Sequence, residues 1–288
     1  MKIGIIGIGL IGGSMSKDLK KALPEAEVFG LDHKPEHLET ALKLNIIDKI
    51  GEESMLADAD LIFLAIPVDA AVEILPDLLN KIKDDALVID AGSTKSLICS
   101  SVSQHQKRRN FLACHPIAGT EFSGPEAAIE GLYQGKTNII CEVEKTAFKL
   151  QEIALDLFSR IGMRIRYMNP EAHDKHIAYV SHLSHISSFM LGKTVIEKEK
   201  NERDIFDMAG SGFESTVRLA KSSPDMWTPI FEQNKENVIE TLEEYIQNLE
   251  AFRQKLLDND MEGIYKEMEN TNKIKEILKG IPLNKIQG

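Results

Sequence analysis

The sequence has no apolar run long enough to cross a bilayer, and it opens on a short β-branched segment rather than on a charged stretch followed by an apolar, cleavable one. Neither a membrane span nor a secretory leader is therefore expected. Cysteine is scarce: Cys99, Cys114 and Cys141 are odd in number and follow no spacing. They argue against a disulfide framework or a zinc site, and for a reducing compartment. Positive charge is short as well, with 34 Lys and Arg against 45 Asp and Glu and a net charge of -11. A phosphate-backbone partner needs clustered cations, so nucleic acid is disfavoured. The run Lys107-Arg108-Arg109 is too brief to change this and reads as a solvated helix end. What is present is ordinary: 288 residues, 43% hydrophobic and 27% charged, enough for two domains and a sizeable core. A soluble cytoplasmic protein is expected.

Residues 2–6 read as a buried strand. Gly7, Gly9 and Gly12 follow in the spacing G-x-G-x-x-G, with Leu10 and Ile11 between them opening a helix. Gly7 suits a tight turn, Gly9 a close backbone approach to a pyrophosphate, and Gly12 close packing of helix on strand. The helix start aims unpaired N–H groups at the phosphates. A glycine fingerprint alone is weak. Here a strand precedes it, a helix follows it, and Asp32 ends a second strand where its carboxylate can take the ribose hydroxyls of NAD. A glycine-rich turn in a flavodoxin-like protein is the plainer alternative. An acid at this place repels a 2′-phosphate, so NAD is expected rather than NADP, although His33 and Lys34 adjoin it.

Strand and helix patterns then alternate. Residues 61–67, LIFLAIP, and 86–93, ALVIDAGS, read as buried strands, as does the start of FLACHPIAGTE at 111–121. Helices are expected at 36–44, 70–81, 95–106 and 146–161, and further strands at 137–143 and 164–168. Such alternation implies an α/β fold with a mostly parallel sheet covered by helices on both faces. Gly7 to Gly12, Asp32, Pro67, Ser93 and His115 all fall just after the carboxyl end of a strand. In a parallel sheet those ends share one edge, outside which ligands bind. Ser93 and His115 can thus meet beside the nicotinamide end of the cofactor, although serine is also common in turns and caps.

From Asn169-Pro170 the pattern is helical only, with Pro170 and Glu171 as a helix start. Residues 177–191 are apolar nearly all round, which predicts a buried helix. It carries His182 and His185 on one side; internal hydrogen bonding is one explanation, lining a pocket the other, and the latter is preferred for His185. His173 and His176 lie nearer the helix start and read as solvated. No histidine and carboxylate spacing here fits a zinc protease motif, so no metal is expected. Arg218 follows a Gly210-Ser211-Gly212 turn; its guanidinium fork suits a carboxylate, or equally a structural salt bridge. Two more helices are expected, at 229–257 and 261–278, of a kind that pairs between subunits.

The stretches GIGLIGGS, DAGSTK, HPIAGTE, SHLSH, GSGFESTVR and SSPDMW, in this order, resemble the prephenate and arogenate dehydrogenases of tyrosine biosynthesis. The resemblance implies an N-terminal NAD-binding Rossmann domain, 1–168, and an all-α C-terminal dimerisation domain, 169–288, that forms a homodimer through its helices. It implies that His115 accepts the proton of the ring hydroxyl and that Ser93 bridges hydroxyl, histidine and nicotinamide. It gives Arg218 a substrate carboxylate, places His185, Glu121 and Thr120 around the pocket, and makes His182 a support of the helix. Pro67 and the glycine turn fall to the cofactor. Ser184 stands where many relatives have proline, and GSGF replaces a glycine-richer turn. The chain is too short for the regulatory domain that some relatives carry. A histidine at 185 with an acid at 121 favours prephenate over arogenate; a noncatalytic NAD-binding regulator is the alternative from another class.

Overall fold

The apolar run Lys2–Ile6 forms β1 and is flanked on both sides by further parallel strands. The computed structural model describes residues 1–200, 202 and 204–279. In chain order the first half is β1 (Lys2–Ile6), α1 (Leu10–Ala22), β2 (Glu27–Leu31), α2 (Pro35–Lys43), β3 (Lys49–Ile50), β4 (Leu61–Leu64), α3 (Val68–Lys81) and β5 (Leu87–Asp90). There follow α4 (Ser96–Ser101), β6 (Phe111–Pro116), β7 (Thr137–Cys141), α5 (Phe148–Ile161) and β8 (Arg164–Met168). The strands make one sheet in the order β3-β2-β1-β4-β5-β6-β7-β8. Neighbours run parallel except β6 with β7.

Strands buried on both faces must be apolar throughout, which is why the sequence shows runs rather than alternation. Ile3, Ile5, Leu61, Phe63, Leu87 and Ile89 face one core with Met15, Leu19, Ala41, Leu157 and Phe158, so α1, α2 and α5 cover that side. Phe29, Ile62, Leu64, Val88, Phe111 and Ala113 face the other, closed by Leu75, Leu78 and Leu79 of α3 and Ile98 and Cys99 of α4. The strand order reverses direction about β1 and β4, and the carboxyl ends of β1, β2, β4, β5 and β6 lie along one edge. This is the switch-point geometry of nucleotide-binding sheets. The α4 helix is shorter than the expected 95–106, because its last residues break into turns.

The all-helical part begins at α6 (Pro170–Ile177), capped by Asn169, whose side chain accepts the N–H of Ala172 at 2.7 Å. A π-helical turn, Ala178–His182, joins it to α7 (Leu183–Glu199). After α8 (Ser211–Val217) comes α9 (Pro224–Gln233). The expected single helix over 229–257 is in fact two: α9 stops before Asn234, and α10 spans Lys235–Leu257. Asn234 turns inward and donates to the carbonyl of Asp174 at 2.7 Å, a tertiary bond that sequence propensity does not register. The expected helix over 261–278 is likewise divided, into α11 (Met261–Thr271) and α12 (Ile274–Lys279).

The helix over 177–191 is not buried within one chain, contrary to its composition: Val180 is 74% exposed and Met190 50%. An all-round apolar helix has neighbours on one side only here, and its other side is left apolar and uncovered. Residues Met1–Lys235 form one compact unit and those from Glu236 another. The helices from α6 to α9 therefore pack with the sheet. No described helix is long and apolar enough to cross a membrane.

Candidate active site

The edge at the end of β1 is shaped by backbone. Gly7 has φ +91, and a Cβ there would lie 2.4 Å from the carbonyl oxygen of Ala65. At Gly12 a Cβ would stand 1.9 Å from the carbonyl oxygen of Gly7. Only glycine lets α1 approach β1 this closely. At Gly9, by contrast, a Cβ would meet nothing within 4 Å, so the backbone before Leu10 and Ile11 opens onto free space. Asp32, just past β2, accepts the N–H of Ile8 at 2.8 Å and that of Lys34 at 2.9 Å. Its carboxylate is thereby fixed beside the glycine turn. Pro67 stands exposed at the start of α3, on the same edge. An open cradle at a helix N-terminus, with an acid one strand away, fits a dinucleotide.

Two strands further along, Ser93 lies half-buried in the loop after β5, and His115 sits near the end of β6. The adjoining strands hold these two segments side by side, and the Asp90 carboxylate pins them by accepting the N–H of Cys114 at 2.9 Å. His115 is not alone. Its Nδ1 lies 2.8 Å from Nε2 of His173, and Nδ1 of His173 lies 2.7 Å from the Asp174 carboxylate. That carboxylate also accepts the N–H groups of Lys95 at 2.7 Å and Ser96 at 2.8 Å. Lys95 is fully buried and pairs with Asp90. The first turn after β5 and the first helix of the all-helical part are thus bonded through one acid.

His173 departs from the solvated position expected for it. It is 2% exposed rather than solvated, whereas His176 is exposed. Pro170, His173, Asp174, Ile177 and Ala178 recur at helical spacing and are all buried, so a histidine and an aspartate occupy the inner stripe of α6; the apolar residues of that stripe, Pro170, Ile177 and Ala178, are its only mark in the sequence. Buried polar groups of this kind need partners, and each has found one.

His182 and His185 do stand on one side of their helix. His185 stacks on Trp227, with ring centroids 3.6 Å apart and planes at 28°, and donates to the carbonyl of Ser181 at 3.0 Å. His182 is completely buried, meets Trp227 edge-on, and lies 3.2 Å from the Asn234 amide through Nδ1. Arg218, just past α8, reaches Glu121 with Nη1 to Oε2 at 2.8 Å. Thr120 accepts the N–H of Phe122 at 3.2 Å in the loop that carries Glu121. A cationic fork therefore faces the loop following His115. Among the described residues, no cluster of His, Cys, Asp and Glu could hold a metal ion.

Electrostatics follow burial. Burial, with His173, Lys95 and His182 adding to it, holds His115 well below the usual imidazole value. Burial also lowers His173 and His185. It pulls His182 down to about 4 from an ordinary 6.5. The hydrogen bond within Glu121 itself, followed by Arg218, outweighs burial and keeps Glu121 below the usual carboxylate range. These shifts have a consequence for stability. A histidine kept neutral when folded binds its proton first in the unfolded chain, so stability is complete above the unfolded pKa and drains away as pH falls below it. His182 alone should remove roughly 3 kcal/mol between about pH 6.5 and about pH 4. Urea unfolding across that range should show a steady decline in unfolding free energy; a flat profile contradicts the burial.

The chain matches the family model for the prephenate dehydrogenase nucleotide-binding domain over residues 15–167, and that for the prephenate dehydrogenase dimerization domain over 169–270. It is 30% identical to a prephenate dehydrogenase of Bacillus subtilis over 97% of this chain and 76% of that relative. Among solved structures it resembles the prephenate dehydrogenase of Aquifex aeolicus in complex with hydroxyphenyl propionate and NAD+, with a TM-score of 0.87, 33% identity, and 96% and 97% of the two chains covered. It also resembles Synechocystis arogenate dehydrogenase, with a TM-score of 0.76, 26% identity, and 96% and 100% covered.

Proposed function

Because the chain belongs to the prephenate dehydrogenase family, we propose that it oxidises and decarboxylates prephenate to 4-hydroxyphenylpyruvate with NAD. The observation that carries this reading is a half-buried imidazole, kept neutral by its surroundings, on the ligand edge of the sheet, in the same compact unit as an arginine fork. Prephenate is a cyclohexadienol bearing a ring carboxylate and a pyruvyl carboxylate. Arg218 binds a carboxylate of the substrate. His115 takes the proton from the ring hydroxyl, for which a neutral ring is the competent form. Ser93 bridges that hydroxyl and His115. Thr120, Glu121 and His185 shape the pocket, and His182 holds the helix behind it. Bound NAD supplies the hydride acceptor. The hydride would leave the ring carbon that bears the hydroxyl, whose carbon–oxygen bond becomes a carbonyl; the electron pair freed as the ring carboxylate leaves as carbon dioxide then restores the aromatic ring, and the oxygen takes a proton back from His115 to give the phenol.

Gly7, Gly9, Leu10, Ile11 and Gly12 receive the pyrophosphate, Asp32 the adenosine ribose, and Pro67 borders the cofactor. Two variants separate fold from binding. Gly9→Ala adds a methyl into open space, so the protein should keep its thermal midpoint while NAD affinity falls about tenfold or more. Gly12→Ala drives a methyl into the Gly7 carbonyl and should cost about 1–3 kcal/mol of stability or more, with loss of NAD binding. Calorimetric titration with NAD, beside thermal melts, checks both. Equal NAD affinity in Gly9→Ala and wild type contradicts the assignment.

The division at 168/169 marks where cofactor-binding sheet gives way to the helices of a homodimer, and the exposed apolar side of residues 177–191 suits burial between subunits. A cytoplasmic location suits three buried, unpaired cysteines. The deciding experiment mixes the purified protein with prephenate or arogenate, each with NAD or NADP, and follows reduced cofactor by absorbance. Turnover with prephenate and NAD is the expected result. Turnover with arogenate alone moves the substrate assignment, and binding of NAD without turnover moves the chain to a regulator.

A further inference from the structure

Asp174 lies two hydrogen bonds from His115. Burial raises its pKa, but the bonds from His173 and Ser96 outweigh burial and hold it below the usual carboxylate range, so it is ionised and can only accept. It takes two backbone N–H groups, from Lys95 and Ser96, as well as the His173 ring. Those backbone bonds fix the carboxylate in place, because Lys95 is anchored in turn by its buried pairing with Asp90.

The proton positions follow from this acceptor. His173 is neutral and carries one N–H, which must be on Nδ1 to meet Asp174. Its Nε2 is then a bare lone pair. The neighbouring Nδ1 of His115, at 2.8 Å, has to be the donor. His115 is neutral as well, so its single proton is spent on that bond and Nε2, at the other end of the ring, is left bare. Without such a chain, a free imidazole distributes its proton between both nitrogens, and the fraction carrying it on Nε2 cannot act as a base.

We infer that His173 and Asp174 are positioning residues that lock His115 in the Nδ1–H tautomer, so that Nε2 stands ready to take the substrate proton. The geometry also serves the moment after transfer. His115 then holds protons on both nitrogens, and the Nδ1 proton still points at the lone pair of a neutral ring, with the Asp174 charge behind it. The logic is that of the buried aspartate in a hydrolase triad, with a second imidazole inserted between acid and base. It also gives Asp174 a reason to sit on α6, where it bonds the loop after β5: the base and its orienting group come from different parts of the chain, and they are aligned only when α6 is docked on the sheet.

The inference rests on His115 being the base, and its test is separable from that reading. Nitrogen-15 spectra of histidine-labelled wild-type protein near neutral pH, with the His115 signals assigned by their loss in His115→Asn, report each tautomer without any substrate. The expected result is a protonated Nδ1 and a bare Nε2 for both His115 and His173. A proton on Nε2 of His115 overturns the inference, whatever the enzyme turns over. In His173→Phe the acceptor is gone, and kcat should fall about 100-fold with KM for prephenate and the NAD dissociation constant within about threefold. In His173→Gln the amide oxygen can accept from His115 while its N–H meets Asp174, and kcat should recover to within about tenfold of wild type. A folded His173→Phe variant with wild-type kcat overturns the inference too. If that variant does not fold, the wild-type nitrogen spectrum decides.

Discussion

Replacing His115 by asparagine lowers kcat by about two to four powers of ten, the range that a positioned proton acceptor supplies. Asparagine fills part of the same space and can still hydrogen-bond His173, so the strand and the sheet edge should persist. The NAD dissociation constant should stay within about threefold, because the glycine turn and Asp32 lie across other strands of the sheet. The measurement is a steady-state rate with prephenate beside a calorimetric titration with NAD, on the same preparation. A variant that turns over at the wild-type rate removes His115 from the chemistry. One that loses turnover and NAD binding together removes the distinction between base and cofactor site.

The second large effect is at Arg218. A charge-assisted hydrogen bond is worth about 1.5–3 kcal/mol, so Arg218→Ala should raise KM for prephenate by about 10- to 150-fold. The true figure should sit toward the upper end. Arg218 pairs with Glu121 at 2.8 Å, and Glu121 is mostly buried. Removing the arginine leaves that carboxylate facing a substrate that itself carries two. The double variant Arg218→Ala with Glu121→Gln should therefore bind prephenate better than Arg218→Ala alone. Arg218→Lys should recover only part of the loss, because a point charge lacks the two-pronged geometry of the guanidinium. An unchanged KM in Arg218→Ala shows that the substrate carboxylate is held elsewhere.

The placement of the candidate residues along one sheet edge is legible in the sequence, for a definite reason. In a parallel sheet every strand delivers its following residue to the same edge, so one-dimensional order becomes spatial proximity. Gly7, Asp32, Pro67, Ser93 and His115 could each be placed from the end of an apolar run. The helical part obeys no such rule. Which side of α6 faces the sheet depends on docking: nearness to the helix start suggests solvent for His173, whereas the stripe it shares with Pro170 and Ile177 is the buried one. Asn234 looks like one more polar residue in a long helical pattern. Its side chain meets the Asp174 carbonyl and His182 at the point where the helix divides, and both partners are far away in sequence. The stacking of His185 on Trp227, residues far apart in sequence, was equally out of reach. Apolar composition misled in the other direction: it marked residues 177–191 for burial, which one chain does not provide.

The central claim is that this edge of the sheet joins removal of a hydride to loss of the ring carboxylate. Its most direct measurement follows reduced NAD and carbon dioxide together as wild-type protein consumes prephenate. Equal amounts of the two, rising in step and both suppressed in His115→Asn, are the predicted result. Carbon dioxide released without reduced cofactor, or neither product from a folded protein that binds NAD, contradicts the account.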